Sequence, residues 1–130
     1  MRLAALVFVV FLSGCTGLGG DARCRDQLVE RLYLGGTTTT GVVIPEADFQ
    51  RFVESEITPR FPAGLTIYAA SGQWRGKDQA IVREPSRVVE IVHGGSSIEE
   101  AKLEEVAAAY KSRFTQEAVL RTRSLVRACL

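Results

Sequence analysis

The stretch Thr58–Arg75, TPRFPAGLTIYAASGQWR, constrains the fold more than any other because it holds a stop, a reversal and a restart. Pro59 disfavours helical geometry at Thr58, and Pro62 and Gly64 complete the break. The helix being stopped is the preceding one. Pro45 opens it at a favourable first position, Glu46 and Asp48 suit its N-terminus, and Phe49, Phe52, Val53 and Ile57 recur at helical spacing as one buried stripe. After Gly64 the period changes from helix to strand, with Leu65, Ile67 and Ala69 on one side and Thr66, Tyr68 and Ala70 on the other.

The same reading extends in both directions. Asp26–Leu34 reads as a first strand, with Leu28, Leu32 and Leu34 on one face and Val29, Arg31 and Tyr33 on the other. Gly35, Gly36 and four consecutive threonines, Thr37 to Thr40, read as a flexible, solvated loop. Gly72–Gln79 reads as a hairpin tip carrying Trp74. Its return strand runs through Ile81 and Val82, with a bulge or break expected between Glu84 and Ser86 because Pro85 removes a ladder donor, and resumes over Arg87–Val92. Ser97 and Glu100 have capping-box spacing ahead of a long helix whose stripe is Leu103, Val106, Ala107, Tyr110 and Phe114. Ala118–Cys129 closes the chain as a strand.

Strand, helix, strand, strand, helix, strand is the ferredoxin-like split arrangement: an α+β fold with a four-stranded antiparallel sheet and both helices on one face. In it the first and last strands are antiparallel neighbours, so the start of one lies beside the end of the other. Cys24 and Cys129 occupy those positions, and a disulfide between them is expected. In the chain-entropy account, closing a loop of about 100 residues stabilises by up to about 4.7 kcal/mol.

The N-terminus reads as an address. Arg2 precedes an unbroken apolar run, Leu3–Leu12, which is too short to span a bilayer. Leu12-Ser13-Gly14-Cys15 then resembles a bacterial lipobox, in which the cysteine thiol receives a diacylglycerol. On this reading residues 1–14 are a lipoprotein signal peptide, 15–23 a lipidated tether and 24–130 one domain. Acyl chains on Cys15 hold a protein to a membrane at about 0.8 kcal/mol per buried methylene. Thr16 after the cysteine points to the outer membrane, facing the periplasm, and consuming Cys15 leaves an even pair of cysteines in a compartment where disulfides persist.

Charge narrows the partners. The chain has 16 basic and 15 acidic side chains, and losing Arg2 with the signal leaves 15 of each. A nucleic-acid binder shows a basic excess or stripe, and there is none.

Thr58–Arg75, together with IVREPSRVV at 81–89 and YKSRFTQEAVLR at 110–121, resembles a family of small bacterial exported proteins and lipoproteins known only as a domain of unknown function. Leu32-Tyr33-Leu34-Gly35 resembles its opening strand. The resemblance covers nearly the whole domain and implies no reaction, cofactor or catalytic residue.

The residues themselves supply no catalytic set. His93, the single histidine, stands at a strand end, no metal-ligand cluster accompanies it, and no glycine-rich strand-to-helix turn is present. The feature of interest is the sheet face opposite the helices. If Leu28, Leu32, Leu65, Ile67, Val89, Ile91 and Leu120 point to the helices, then Arg31, Tyr33, Tyr68, Val88, Glu90, Val92, Arg121 and Arg123 lie on the other face, with Arg31 and Arg121 pairing to Glu90. Gln73, Trp74 and Arg75 on the hairpin add a candidate anchor. The leading expectation is a non-catalytic envelope lipoprotein that binds a protein or small ligand, or its own copy, through this face and hairpin. The alternatives are a small cofactor-light enzyme using Arg31, Tyr33, Tyr68 and His93, which rests on fold analogy, and a purely structural envelope protein.

Overall fold

A computed structural model describes residues 23–130; the expected signal segment, Cys15 and nearly all of the expected tether lie outside the described residues. The elements are β1 (Cys24–Gly35), α1 (Glu46–Phe52) continued by a π-helical turn (Val53–Ile57), β2 (Thr66–Arg75), β3 (Ile81–His93), α2 (Ser97–Arg113) and β4 (Leu120–Cys129). The strands form one antiparallel sheet in the order β2-β3-β1-β4, and the chain has the expected α+β, ferredoxin-like build.

Both helices lie on one face. Leu32 and Leu34 of β1 and Val89 and Ile91 of β3 are buried there against Phe49, Phe52, Val53 and Ile57, and against Leu103, Val106, Tyr110 and Phe114 of α2. Each such side chain contributes about 1.5–3 kcal/mol on burial. Phe52, Tyr110 and Phe114 meet at centroid separations of 5.1, 5.6 and 4.8 Å, which locks the two helices together. The π turn, sealed by Thr58 N donating to Val53 O at 2.8 Å, keeps Ile57 inside before Pro59 ends the helix.

Cys24 stands opposite Cys129 in the β1–β4 register and the two form a disulfide spanning 105 residues. Several local expectations need correction. β3 runs unbroken through Pro85, which pairs with Ser71. The Pro85 carbonyl accepts from Gly36 N at 2.7 Å on the β1 side, so its nitrogen faces that side too, just past the point where β1 ends opposite Ser86. The reciprocal bond that the proline nitrogen cannot make is replaced by Ile44 N, which donates to the Gly36 carbonyl at 2.8 Å. The hairpin tip is shorter than expected, because β2 continues to Arg75 and the reversal falls at 76–80. The capping box is Ser96 with Glu99, one residue earlier: Ser96 Oγ accepts from Glu99 N at 3.2 Å, and Ser96 N donates to Glu99 Oε2 at 2.8 Å.

The largest correction concerns β4. Arg121 is opposite Leu32 and Arg123 opposite Glu30, and residues paired across strands share a face. Both arginines therefore point to the helix side, while Leu120, opposite Tyr33, points away. Arg121 Nε donates to Glu30 Oε1 at 2.7 Å, Arg123 Nε to Glu30 Oε2 at 2.9 Å, and both reach up to Glu100 of α2; Arg121 also bonds Glu104. Glu30 is a charged residue at a core position, 2 % exposed, and it is tolerated because both its oxygens are bonded to cations. The Arg121 bond, with help from Arg123, also holds the Glu100 carboxyl below the usual carboxylate range.

Candidate functional site

The open face carries four of the expected residues together. Arg31 is opposite Glu90, and Arg31 Nε donates to Glu90 Oε2 at 2.7 Å while Tyr68 OH donates to Glu90 Oε1 at 3.3 Å. The next row across the sheet is Tyr68, Val88, Tyr33 and Leu120, one apolar or aromatic residue from each strand. Arg121 is not part of this face, and Glu90 pairs with Arg31 alone among the two arginines expected there. His93 lies on the helix side, buried, with Nδ1 accepting from Gly95 N at 3.2 Å, so the four groups of the enzyme alternative are not brought together.

The hairpin residues separate in the same way. Trp74 shares the open-face parity of Tyr68, whereas Gln73 and Arg75 point to the other side. Gln73 borders an open, shallow depression of about 470 Å³ with Ser71 and Arg83. Trp74 instead walls a cleft of about 330 Å³ that no local sequence pattern announces.

That cleft exists because β2 and β3 outrun their neighbour. β1 ends at Gly35 opposite Ser86, while β2 and β3 remain paired from Ser71–Pro85 to Arg75–Ile81, so the hairpin overhangs the sheet. Under the overhang sit the threonine loop and the connection from α2 to β4. The loop is not the free, solvated segment expected. Thr37 N and Oγ1 both donate to Glu84 Oε2, at 2.9 and 2.6 Å, Thr38 N donates to Val42 O at 2.8 Å, and Thr39 N donates to Thr115 O at 3.1 Å. Gln116 Nε2 donates to the Thr37 carbonyl from the other side. Gly36 is required here, since a Cβ would stand 2.4 Å from the Pro85 carbonyl oxygen.

Thr115 itself takes a left-handed conformation, φ 50°, in the helix-ending position that usually holds glycine, and Gln116 N closes the motif by donating to Lys111 O at 3.0 Å. A β-branched residue held in that region stores strain, which gathers at functional sites. The charges of the cleft are Lys77, Asp78, Glu84 and Glu117. Glu117 Oε2 is buried and has no hydrogen-bond donor among the described residues. Glu84, Glu117 and the threonines were not among the expected site residues; only the position of Trp74 pointed here. Among the described residues no three His, Cys, Asp or Glu side chains gather to hold a metal ion.

The model of a family described as a protein of unknown function, DUF3574, matches residues 29–130. The chain belongs to that family. No curated protein matches it. Among solved structures, a phage SAM lyase in complex with S-methyl-5'-thioadenosine is similar with a TM-score of 0.63 at 14 % identity, covering 80 % of this chain and 90 % of that one. CutA from Synechococcus elongatus PCC7942 is similar with a TM-score of 0.53 at 11 % identity, covering 83 % and 87 %. At these identities the likeness to both is one of fold. For this DUF3574 chain, function has to be argued from the cleft and the open face.

Proposed function

We propose that the protein is a lipid-anchored binding domain of the bacterial cell envelope, held by Cys15 to the outer membrane and presenting the Trp74 cleft to the periplasm without catalysing a reaction. The observation that carries this reading is the position of the cleft: it lies at the end of β1, and the segment leading back to Cys15 leaves from the start of β1. Twelve residues of strand separate the two by about 40 Å. A tether at one pole leaves the other accessible. The cleft is concave, walled by one large aromatic and a few fixed polar groups, the usual build of a small-ligand site.

Two measurements test it. Palmitate labelling and membrane fractionation are expected to place the wild type in the membrane fraction and to release Cys15→Ala unlabelled. The chain has a single tryptophan, so its emission reports on the cleft directly. A low-molecular-weight extract of the envelope should shift that emission in the wild type and not in Glu84→Ala. An unlabelled, soluble wild type overturns the anchor, and unchanged emission overturns the cleft as the binding site.

A second reading, a homodimer or protein contact through the open face, is favoured by the row Tyr68, Val88, Tyr33 and Leu120, in which Leu120 is 61 % exposed. Sedimentation of the wild type and Leu120→Glu tests it: a dimer that becomes a monomer supports it, and a monomer in both overturns it.

A further inference from the structure

Resting on the reading of the Trp74 cleft as a ligand site, we propose that its ligand is a small organic cation, a primary or quaternary ammonium. Three carboxylates, Asp78, Glu84 and Glu117, face one ammonium, Lys77, so the cleft carries a net charge of −2 in a chain whose formal charge as a whole is +1. Two of the three are already engaged: Asp78 Oδ1 accepts from Ala80 N at 3.0 Å to shape the turn, and Glu84 Oε2 takes both donors of Thr37. Glu117 differs. It lines the cleft and its Oε2 is buried with no donor among the described residues, and an unpaired buried carboxylate oxygen is costly unless a donor or cation arrives to meet it.

Trp74 supplies the second half of the recognition. Its indole is 37 % exposed on the cleft wall, and an aromatic face beside a carboxylate is the combination that holds ammonium groups, through ring quadrupole and charge together. A volume of about 330 Å³ stands at the small end of the range for ligand sites. A phosphate or carboxylate ligand would bring its charge against three like charges, and a neutral sugar could stack on the indole but would leave the charge of Glu117 uncompensated.

The test is a titration of tryptophan emission in the full mature chain, at constant ionic strength, with four probes: cadaverine, tetramethylammonium, N-acetylglucosamine and glutarate. A saturating change is expected with at least one ammonium and with neither of the others. Glu117→Gln, whose fold is checked by circular dichroism, should weaken that binding by roughly tenfold or more, the scale of one charge-assisted contact. Trp74→Leu, followed by calorimetry, should do the same. A saturating response to N-acetylglucosamine or glutarate instead overturns the cation class while leaving the cleft a binding site. Silence with all four probes also overturns it, and the extract experiment then decides separately whether the cleft binds anything.

Discussion

Glu30 on a central strand and Arg121 on an edge strand form an ion pair beneath α2, with Arg121 Nε 2.7 Å from Glu30 Oε1 and the side chains 14 % and 2 % exposed. Removing Glu30 takes one partner from Arg121 and Arg123 but leaves both paired with Glu100, and Arg121 also with Glu104. Glu30→Ala should destabilise the domain by about 1–3 kcal/mol in urea unfolding, the scale of lost charge-assisted hydrogen bonds, whereas Glu30→Leu combined with Arg121→Met should recover most of the loss. A single mutant that unfolds at the wild-type midpoint would contradict the burial of the pair.

The capping carboxylate Glu99 gives a pH dependence. Its pKa is held down to about 2 by bonds from the Ser96 backbone and side chain first, with Gly94 N and His93 adding to them. A depressed folded value contributes stability that is full above the unfolded value, near 4.5, and is lost as pH falls through about 2. The stability advantage of the wild type over Glu99→Gln should therefore shrink across that window and stay flat above it. Urea midpoints measured in acid steps check this.

Tyr110 joins core and loop. Its hydroxyl donates to Gly35 O at 2.7 Å, and burial pushes the phenol well above its ordinary pKa, so it remains a donor. Tyr110→Phe should cost about 1–2 kcal/mol and speed amide exchange over residues 36–41 more than in the sheet.

Gly36→Ala should be worse than its single methyl suggests, because the new Cβ meets the Pro85 carbonyl, a backbone atom that cannot turn aside. A loss of about 1–3 kcal/mol is expected, with weaker ligand response at the cleft as the Thr37 loop shifts. Equal stability and unchanged response would show that the loop adapts freely.

Reducing Cys24–Cys129 opens a loop that the disulfide closes across 105 residues of the unfolded chain. The chain-entropy account sets the loss at up to about 4.7 kcal/mol. Urea midpoints with and without a thiol reductant measure it.

Much of this architecture was legible because apolar residues changed period cleanly: Phe49, Phe52, Val53 and Ile57 as a helix, Leu103 to Phe114 as another, and the alternation at Leu65–Ala70 as a strand. β4 failed where that signal is weakest. Its core-side positions hold Arg121 and Arg123 and its outer positions hold Leu120, so hydropathy chose the wrong face; only Glu30, itself a charge in a core position, could have pointed to guanidinium groups beneath α2. Gly72 suggested a turn but stands in a paired strand, where Ser86 Oγ would lie 2.5 Å from a Cβ. The capping box fell at Ser96 and Glu99 rather than at the expected Ser97 and Glu100, because Ser96-Ser97 and Glu99-Glu100 repeat the same spacing one residue apart. The cleft was hidden because it depends on one strand being shorter than its neighbours, a property of tertiary pairing rather than of any local pattern.

The stitch between Cys24 and Cys129 has a mechanical meaning as well. Tension arriving through the N-terminal segment would pass straight into the far edge of the sheet at its first residue, and would have to shear two strands at once instead of peeling β1 away from one end.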